Sequence, residues 1–209
     1  MASIKIVECN EPLVDIKKYC PKVVIAIDKK RLSLEKNFYL RKTMAKMINK
    51  ATDYLPTGTT FIIRDAWRPQ SVQEKIFKGF FARFSKKYPN WKKQRIINEI
   101  NKYVAPATGK QASGHMTGGA IDLRLIKNGR KVPMNDRSHK LTYQENAKSI
   151  QPKLPQYLQK NRQLMFDALI KAGLSNYPKE YWHWSYGDIQ WARRNKKKIA
   201  IYGVITKIN

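Results

Sequence analysis

Three short segments carry residue types that could assemble one hydrolytic metal site. SGHMTGGAID, residues 113–122, offers the imidazole of His115 and the carboxylate of Asp122, both ordinary zinc ligands at about 2.0–2.2 Å. Gly118 and Gly119 between them permit a tight return, so a loop histidine and a strand aspartate can converge. Strand alternation aims Asp122 to the face opposite its apolar neighbours Ile121 and Leu123. By itself such a pair is weak evidence for a metal. EYWHWSYG, residues 180–187, sets Glu180 three positions before His183, among Trp182, Trp184 and Tyr186. A lone histidine among aromatics is more often a packed core residue. Glu180 changes that reading, because a hydrolytic zinc keeps one position for water and a carboxylate outside the ligand set accepts that water's proton. On an extended strand His183 would share a face with Tyr181 and Ser185. RDAWRP, residues 64–69, puts Arg68 before Pro69, which biases it toward extended backbone. A guanidinium beside a zinc site stabilises a developing oxyanion with charge-assisted hydrogen bonds. The plainer alternative is a surface pair with Asp65.

The elements that must position these groups follow from periodicity. Residues 38–55 place Leu40, Met44, Met47, Ile48 and Ala51 at helical spacing ahead of Pro56. Residues 59–66 are rich in β-formers and predict a strand. A second helix over 70–86 carries a stripe of Val72, Ile76, Phe77, Phe80, Phe81 and Phe84, taken as core, and a third spans 91–103. The Gly, Ser and Thr content of 107–119 suits a loop leading to a strand over 120–126 and a hairpin turn at Asn128-Gly129. Residues 135–157 are expected to be a long irregular loop. A helix over 160–172 directs Leu164, Ala168 and Leu169 inward and stops at Gly173. Residues 181–187 and 199–205 are the last strand candidates. Helices and strands mix without a βαβ rhythm, so the expectation is a single α+β domain over 1–209, an antiparallel sheet with helices around it.

Composition narrows the class. With 42 basic and 15 acidic residues the formal charge is +27, a balance that draws polyanions and anionic polymer of any kind. Residues 75–95 carry only basic charge, interleaved with phenylalanines, so a nucleic-acid- or polyanion-binding protein is the alternative of another class. Against it, those phenylalanines fall on the stripe assigned to the core, and nucleic acid is not the expected partner. No apolar run approaches the roughly 20 residues of a membrane helix. No secretory signal is visible, which points to the cytoplasm, or to the periplasm if a signal has been removed. Cys9 and Cys20 lack metal-site spacing and are expected to be two buried thiols.

Taken in order, RDAWRP, SGHMTGGAID and EYWHWSYGD resemble the D-alanyl-D-alanine dipeptidases, the zinc enzymes familiar from vancomycin resistance, within the wider group of D-alanyl-D-alanine carboxypeptidases and hedgehog-like domains. The resemblance covers residues 64–188 and extends more weakly through NEPLVDI at 10–16. It implies a hedgehog-like fold and one zinc ion per chain held by His115, Asp122 and His183. It also implies Glu180 as general base, Arg68 as stabiliser of the transition state, and Ser113 at the position that holds the substrate's C-terminal carboxylate. The implied substrate is a small D-amino-acid peptide, D-Ala-D-Ala. Two features depart from the family pattern. Its early tyrosine is missing from VVIAIDKK at 23–30, and the downstream aspartate that helps grip the dipeptide's amino group has only Asp136 as a counterpart. A D,D-carboxypeptidase acting on longer cell-wall peptides is therefore the alternative within the class.

Overall fold

Alternating burial along two central strands sets the architecture. The computed structural model describes residues 4–26, 38–108 and 113–207, so residues 27–30 of the early segment and 109–112 of the glycine-rich loop lie outside the described residues. In chain order the elements are β1 (Lys5–Ile6), β2 (Leu13–Asp15), α1 (Ile16–Tyr19), β3 (Val24–Ile25), β4 (Tyr39–Arg41), α2 (Lys42–Thr52), β5 (Thr59–Asp65), α3 (Gln70–Lys87) and α4 (Lys93–Ile100). A 3-10 turn, Gly114–Thr117, then precedes β6 (Ala120–Lys127), β7 (Arg130–Lys131), α5 (Tyr143–Ala147), α6 (Gln156–Lys171), β8 (Ser175–Tyr177), β9 (Glu180–Ser185), α7 (Ile189–Arg194) and β10 (Ile199–Ala200).

The main sheet runs β3-β5-β6-β9-β8, with β7 pairing β6. Every pair in it is antiparallel except β3 with β5, which is parallel. The α+β expectation holds; the parallel edge is the one departure from a purely antiparallel sheet. On β5 Phe61 and Ile63, and on β6 Ile121, Leu123 and Leu125, turn inward and are wholly buried. They meet Met44, Ala45, Ile48 and Ala51 of α2 and Met165, Ala168 and Leu169 of α6 in one core. The opposite face carries Ile62, Asp122 and Arg124, each only partly buried.

Several boundaries differ from the sequence expectation for definite reasons. The helix expected from residue 38 begins at Lys42, because Tyr39–Arg41 pairs with β2 as a strand. Arg41 itself is buried. Its Nε donates to Thr117 O at 2.9 Å and its Nη2 to Glu8 Oε2 at 2.8 Å. The expected loop over 135–157 contains α5, started by a reciprocal capping box between Thr142 and Glu145. On α6 the inward set is Leu158, Arg162, Met165, Ala168 and Leu169, with Leu164 only partly buried. Buried Arg162 donates to Met134 O, Lys148 O and Asn146 O at 2.7–2.8 Å, pegging that segment, and stacks 4.0 Å over Tyr181. Burial lowers its pKa to about 10.

The stripe on α3 does not join the main core. Ile76, Phe77, Phe80, Phe81 and Phe84 are partly buried against Ile96, Ile100 and Val104, a separate small cluster. Of the two thiols, Cys20 is buried and donates to Ala45 O, whereas Cys9 is exposed and free, correcting the expectation of two buried thiols. Among the described residues no helix is long and apolar enough to cross a membrane.

Candidate metal centre

Sheet register brings the distant segments together. Asp122 on β6 pairs directly with His183 on β9, so both side chains leave the sheet on the same face. His115 comes from the 3-10 turn just before β6. That turn closes at Gly118 with φ +70°, a left-handed conformation that glycine adopts without steric cost. The turn is also packed from below: a Cβ on Gly114 would lie 2.2 Å from Oδ2 of Asp188. Asp188 is fully buried, caps α7 by accepting from Trp191 N at 2.6 Å, and accepts from the Ser185 hydroxyl.

The three donor atoms form a tight triangle. His115 Nε2 lies 3.2 Å from His183 Nδ1 and 3.3 Å from Asp122 Oδ1, and His183 Nδ1 lies 2.9 Å from Asp122 Oδ1. For bonds of 2.0–2.1 Å, tetrahedral ligand atoms stand about 3.3 Å apart, so two imidazoles and a carboxylate in this triangle fit one zinc-sized cation. Among the described residues this is the one group of histidines, cysteines and acids so arranged. His115 Nδ1 donates to Ala66 O at 2.8 Å, which turns its Nε2 toward the triangle, as orienting partners of metal-bound histidines do. His115 is 4% exposed. Burial drives its pKa down, but the charge and hydrogen bond of Asp122 outweigh burial and leave it raised. Burial drives Asp122 up, and the two histidines more than reverse this, holding it far below the usual carboxylate range. The negative charge that raises the His115 pKa is equally suited to a metal ion, with which protons compete for the same lone pairs.

The triangle lies in a cleft of about 610 Å³ that also takes in Glu180, Arg68 and Ser113. Burial raises the Glu180 pKa above the ordinary 4.5, with Asp122 adding to it and His183 opposing, the direction expected of a group that must exchange protons near neutrality. Arg68 joins both of its proposed settings. Its Nη1 donates to Gln73 Oε1 at 2.5 Å and its Nη2 to Asp65, while it faces the cleft. Its main-chain N–H donates to His115 O at 3.0 Å, locking RDAWRP to the 3-10 turn. Ser113 is 6% exposed and lies at the start of that turn.

Asp136 stands apart from the group. Both its oxygens accept from Ser138, which lowers its pKa, and it is Asn135 that lines the cleft. His139 is exposed, as expected for a solvated residue. Trp182 lines the cleft beside His183, while Tyr181 and Trp184 are wholly buried. Strict alternation therefore does not hold along β9, whose pairing with β8 shifts register between Asn176 and Tyr177. Four further residues at or beside the site, Asp188, Tyr177, Arg64 and Arg124, carry no motif that marks them for it. Asp188 alone had a local signal, an aspartate at the N-cap position before IQWARR. Tyr177 meets the His183 ring edge-on at 5.9 Å, a contact only the β8–β9 hairpin creates.

Residues 17–200 match the family model described as D-ala-D-ala dipeptidase. A D-alanyl-D-alanine dipeptidase of Synechocystis sp. is 26% identical over 96% of this chain and 94% of its own. Two solved structures are similar at lower identity. One is VanYB in complex with D-alanine-D-alanine, 16% identical, with a TM-score of 0.48 over 77% of this chain and 78% of that one. The other is a mutant of the vancomycin-resistance D,D-pentapeptidase VanY in complex with Zn(II), 15% identical, with a TM-score of 0.47 over 84% of this chain and 92% of that one.

Proposed function

Because the chain belongs to the D-Ala-D-Ala dipeptidase family of metallopeptidases, we propose that His115, Asp122 and His183 hold one zinc ion and that the cleft hydrolyses the D-alanyl-D-alanine peptide bond. The observation that carries this reading is the convergence of three lone-pair-bearing atoms within 3.3 Å, with Glu180 in the same cleft and outside the triangle. When bound, zinc supplies Lewis acidity, polarising the scissile carbonyl and lowering the pKa of a water toward 7.

The chain's own groups do the rest. Glu180 Oε accepts the proton of the attacking water and later delivers it to the nitrogen of the leaving D-alanine. Arg68, already held by Asp65 and Gln73, keeps further N–H donors for the oxygen that gains negative charge. Holding Arg68 in advance removes reorganisation from the reaction step. Ser113 takes the substrate's C-terminal carboxylate, and Trp182 walls the cleft against water.

Release of D-alanine from D-Ala-D-Ala by purified protein, stripped with a chelator and then given back zinc, is the direct test. Activity should disappear with the metal and return with it. Protein shown to carry zinc at one per chain, yet inert on every peptide ending in D-Ala-D-Ala, would overturn the assignment.

A further inference from the structure

The α3–α4 arm carries a charge that the proposed reaction does not use. Residues 75–95 hold eight of the 42 basic residues and none of the 15 acids. All eight are exposed, and none forms an ion pair with a described acid. The acids on either side are occupied: Glu74 accepts from Gln70 at 2.9 Å, and Glu99 pairs with Lys102 at 2.7 Å.

Helical geometry divides these cations into two sets. At about 100° per residue, Lys75 and Lys86 stand opposite Phe77 and Phe84 on α3, with Lys78 beside them. They make a row about 16 Å long. Arg83, Lys87 and Arg95 instead border the apolar stripe and lie over its rings. They stand 4.3 Å from the centre of Phe80, 5.1 Å from that of Tyr88 and 4.2 Å from that of Trp91.

Those ring contacts decide what the surface can hold. A strand of nucleic acid needs open aromatic faces on which its bases stack. Here Tyr88 and Trp91 stack on each other, 4.0 Å apart and within 6° of parallel, and Arg95 covers the other face of Trp91. Phe80, Phe84 and Tyr103 pack together beside them. A bilayer takes up a helix through apolar side chains inserted among its lipids. None of the large apolar side chains exposed among the described residues is on the arm. The choice of cation narrows the anion. Six of the eight are lysines, which bind phosphate as point charges, whereas the planar fork of arginine suits carboxylates. The two arginine heads, Arg83 and Arg95, are spent on rings.

We infer that the α3–α4 arm docks a linear polymer of phosphate groups that carries no bases, held through its backbone charge. The same arm lines the cleft with Ile76 and Phe80, so the docked polymer lies alongside the site. The inference stands on the surface of the arm and does not depend on the peptidase reading.

The test follows the fluorescence anisotropy of labelled inorganic polyphosphate with the zinc-loaded protein at physiological salt. Single-stranded DNA, polyglutamate and phosphatidylglycerol vesicles serve as competitors, and each should displace it less well than unlabelled polyphosphate. Lys75→Gln, Lys78→Gln and Lys86→Gln together should weaken binding about tenfold and flatten the slope of log K against log salt by about two. Removing the same charge elsewhere, with Lys196→Gln, Lys197→Gln and Lys198→Gln, should change binding little. Neither set lines the cleft, so D-Ala-D-Ala cleavage should match the parent in both. Should the first set fail to fold, Lys92→Gln with Lys93→Gln at the start of α4 should still weaken binding. Equal losses from the two sets overturn the docking surface, because net charge would then do the binding. It is also overturned if polyphosphate does not bind, or if DNA, polyglutamate or the vesicles bind more tightly.

Discussion

The sheet core and the α3–α4 arm are built from similar apolar residues and end in opposite conditions. In the sheet, Phe61, Ile63, Ile121 and Leu123 are wholly buried between β5, β6 and the helices behind them. On the arm, Phe77, Phe80, Phe81 and Phe84 are only partly covered, gathered round Ile96, Ile100 and Val104. Both regions face the cleft, the first through the His115–Asp122–His183 triangle and the second through Ile76, Phe80 and Tyr103. The difference assigns them separate duties. A metal triangle must keep its atoms within tenths of an ångström, which a close-packed sheet provides. A cleft wall tolerates looser packing, and thinly buried helices open locally at low cost.

The sharpest break of this comparison is at the triangle. His115→Ala should abolish zinc binding and turnover together, read by metal content and D-alanine release, whereas Phe80→Ala on the arm should raise KM a few-fold and leave zinc at one per chain. Next comes Glu180→Gln, which should lower kcat by about 10²–10⁴-fold with metal content unchanged. A variant that loses zinc as well would make Glu180 a ligand and not the base. In stability, Ile63→Ala should cost about 2–5 kcal/mol and lower the melting temperature of the whole chain. Ile96→Ala should instead speed amide exchange within α3 and α4 while β5 and β6 keep their protection; loss of protection in the sheet would show that the two regions unfold as one.

The smallest effects are in pH. Burial raises the pKa of Glu180, and the proposed base accepts a proton only in its ionised form, so kcat/KM should fall on acidification at a pH above the 4.5 of an ordinary glutamate. The linkage runs the same way. A carboxyl whose folded pKa is raised contributes stability below its unfolded pKa and loses that contribution as pH rises through the folded one. Glu180→Gln should therefore melt slightly higher than the parent at neutral pH, with the difference vanishing in acid. A lower melting point at neutral pH would mean that Glu180 is held by partners that favour its charge.

What was legible in the sequence was local or strongly periodic. The three site motifs each lie within ten residues or so, the strand expected over 59–66 follows from a run of β-formers, and that over 120–126 from alternation of apolar side chains. α5 escaped notice although Thr142 and Glu145 spell a capping box, because no apolar run follows it. Arg162 escaped because a buried arginine breaks the apolar pattern that marks a helix face, and its partners are carbonyls fourteen to twenty-eight residues away in the chain. The phenylalanine stripe on α3 was read as core because periodicity reports which side of a helix is apolar, not how much protein covers it. The bulge at Arg64 belongs to the pairing of two strands, and neither strand announces it alone.

The bond from His115 Nδ1 to the carbonyl of Ala66 has a consequence for anyone who maps this protein by mutation. The acceptor is main chain, so any residue that fits the space at position 66 supplies it equally well. A scan of amino-acid replacements there would register only side-chain volume and would rank the position as unimportant to metal chemistry. The contact yields to backbone editing alone. Replacing the amide between Ala66 and Trp67 by an ester, whose carbonyl is a poorer acceptor, should loosen the His115 ring and weaken zinc binding without altering a single side chain, and it also deletes the Trp67 N–H that donates to Tyr39 O at 2.9 Å.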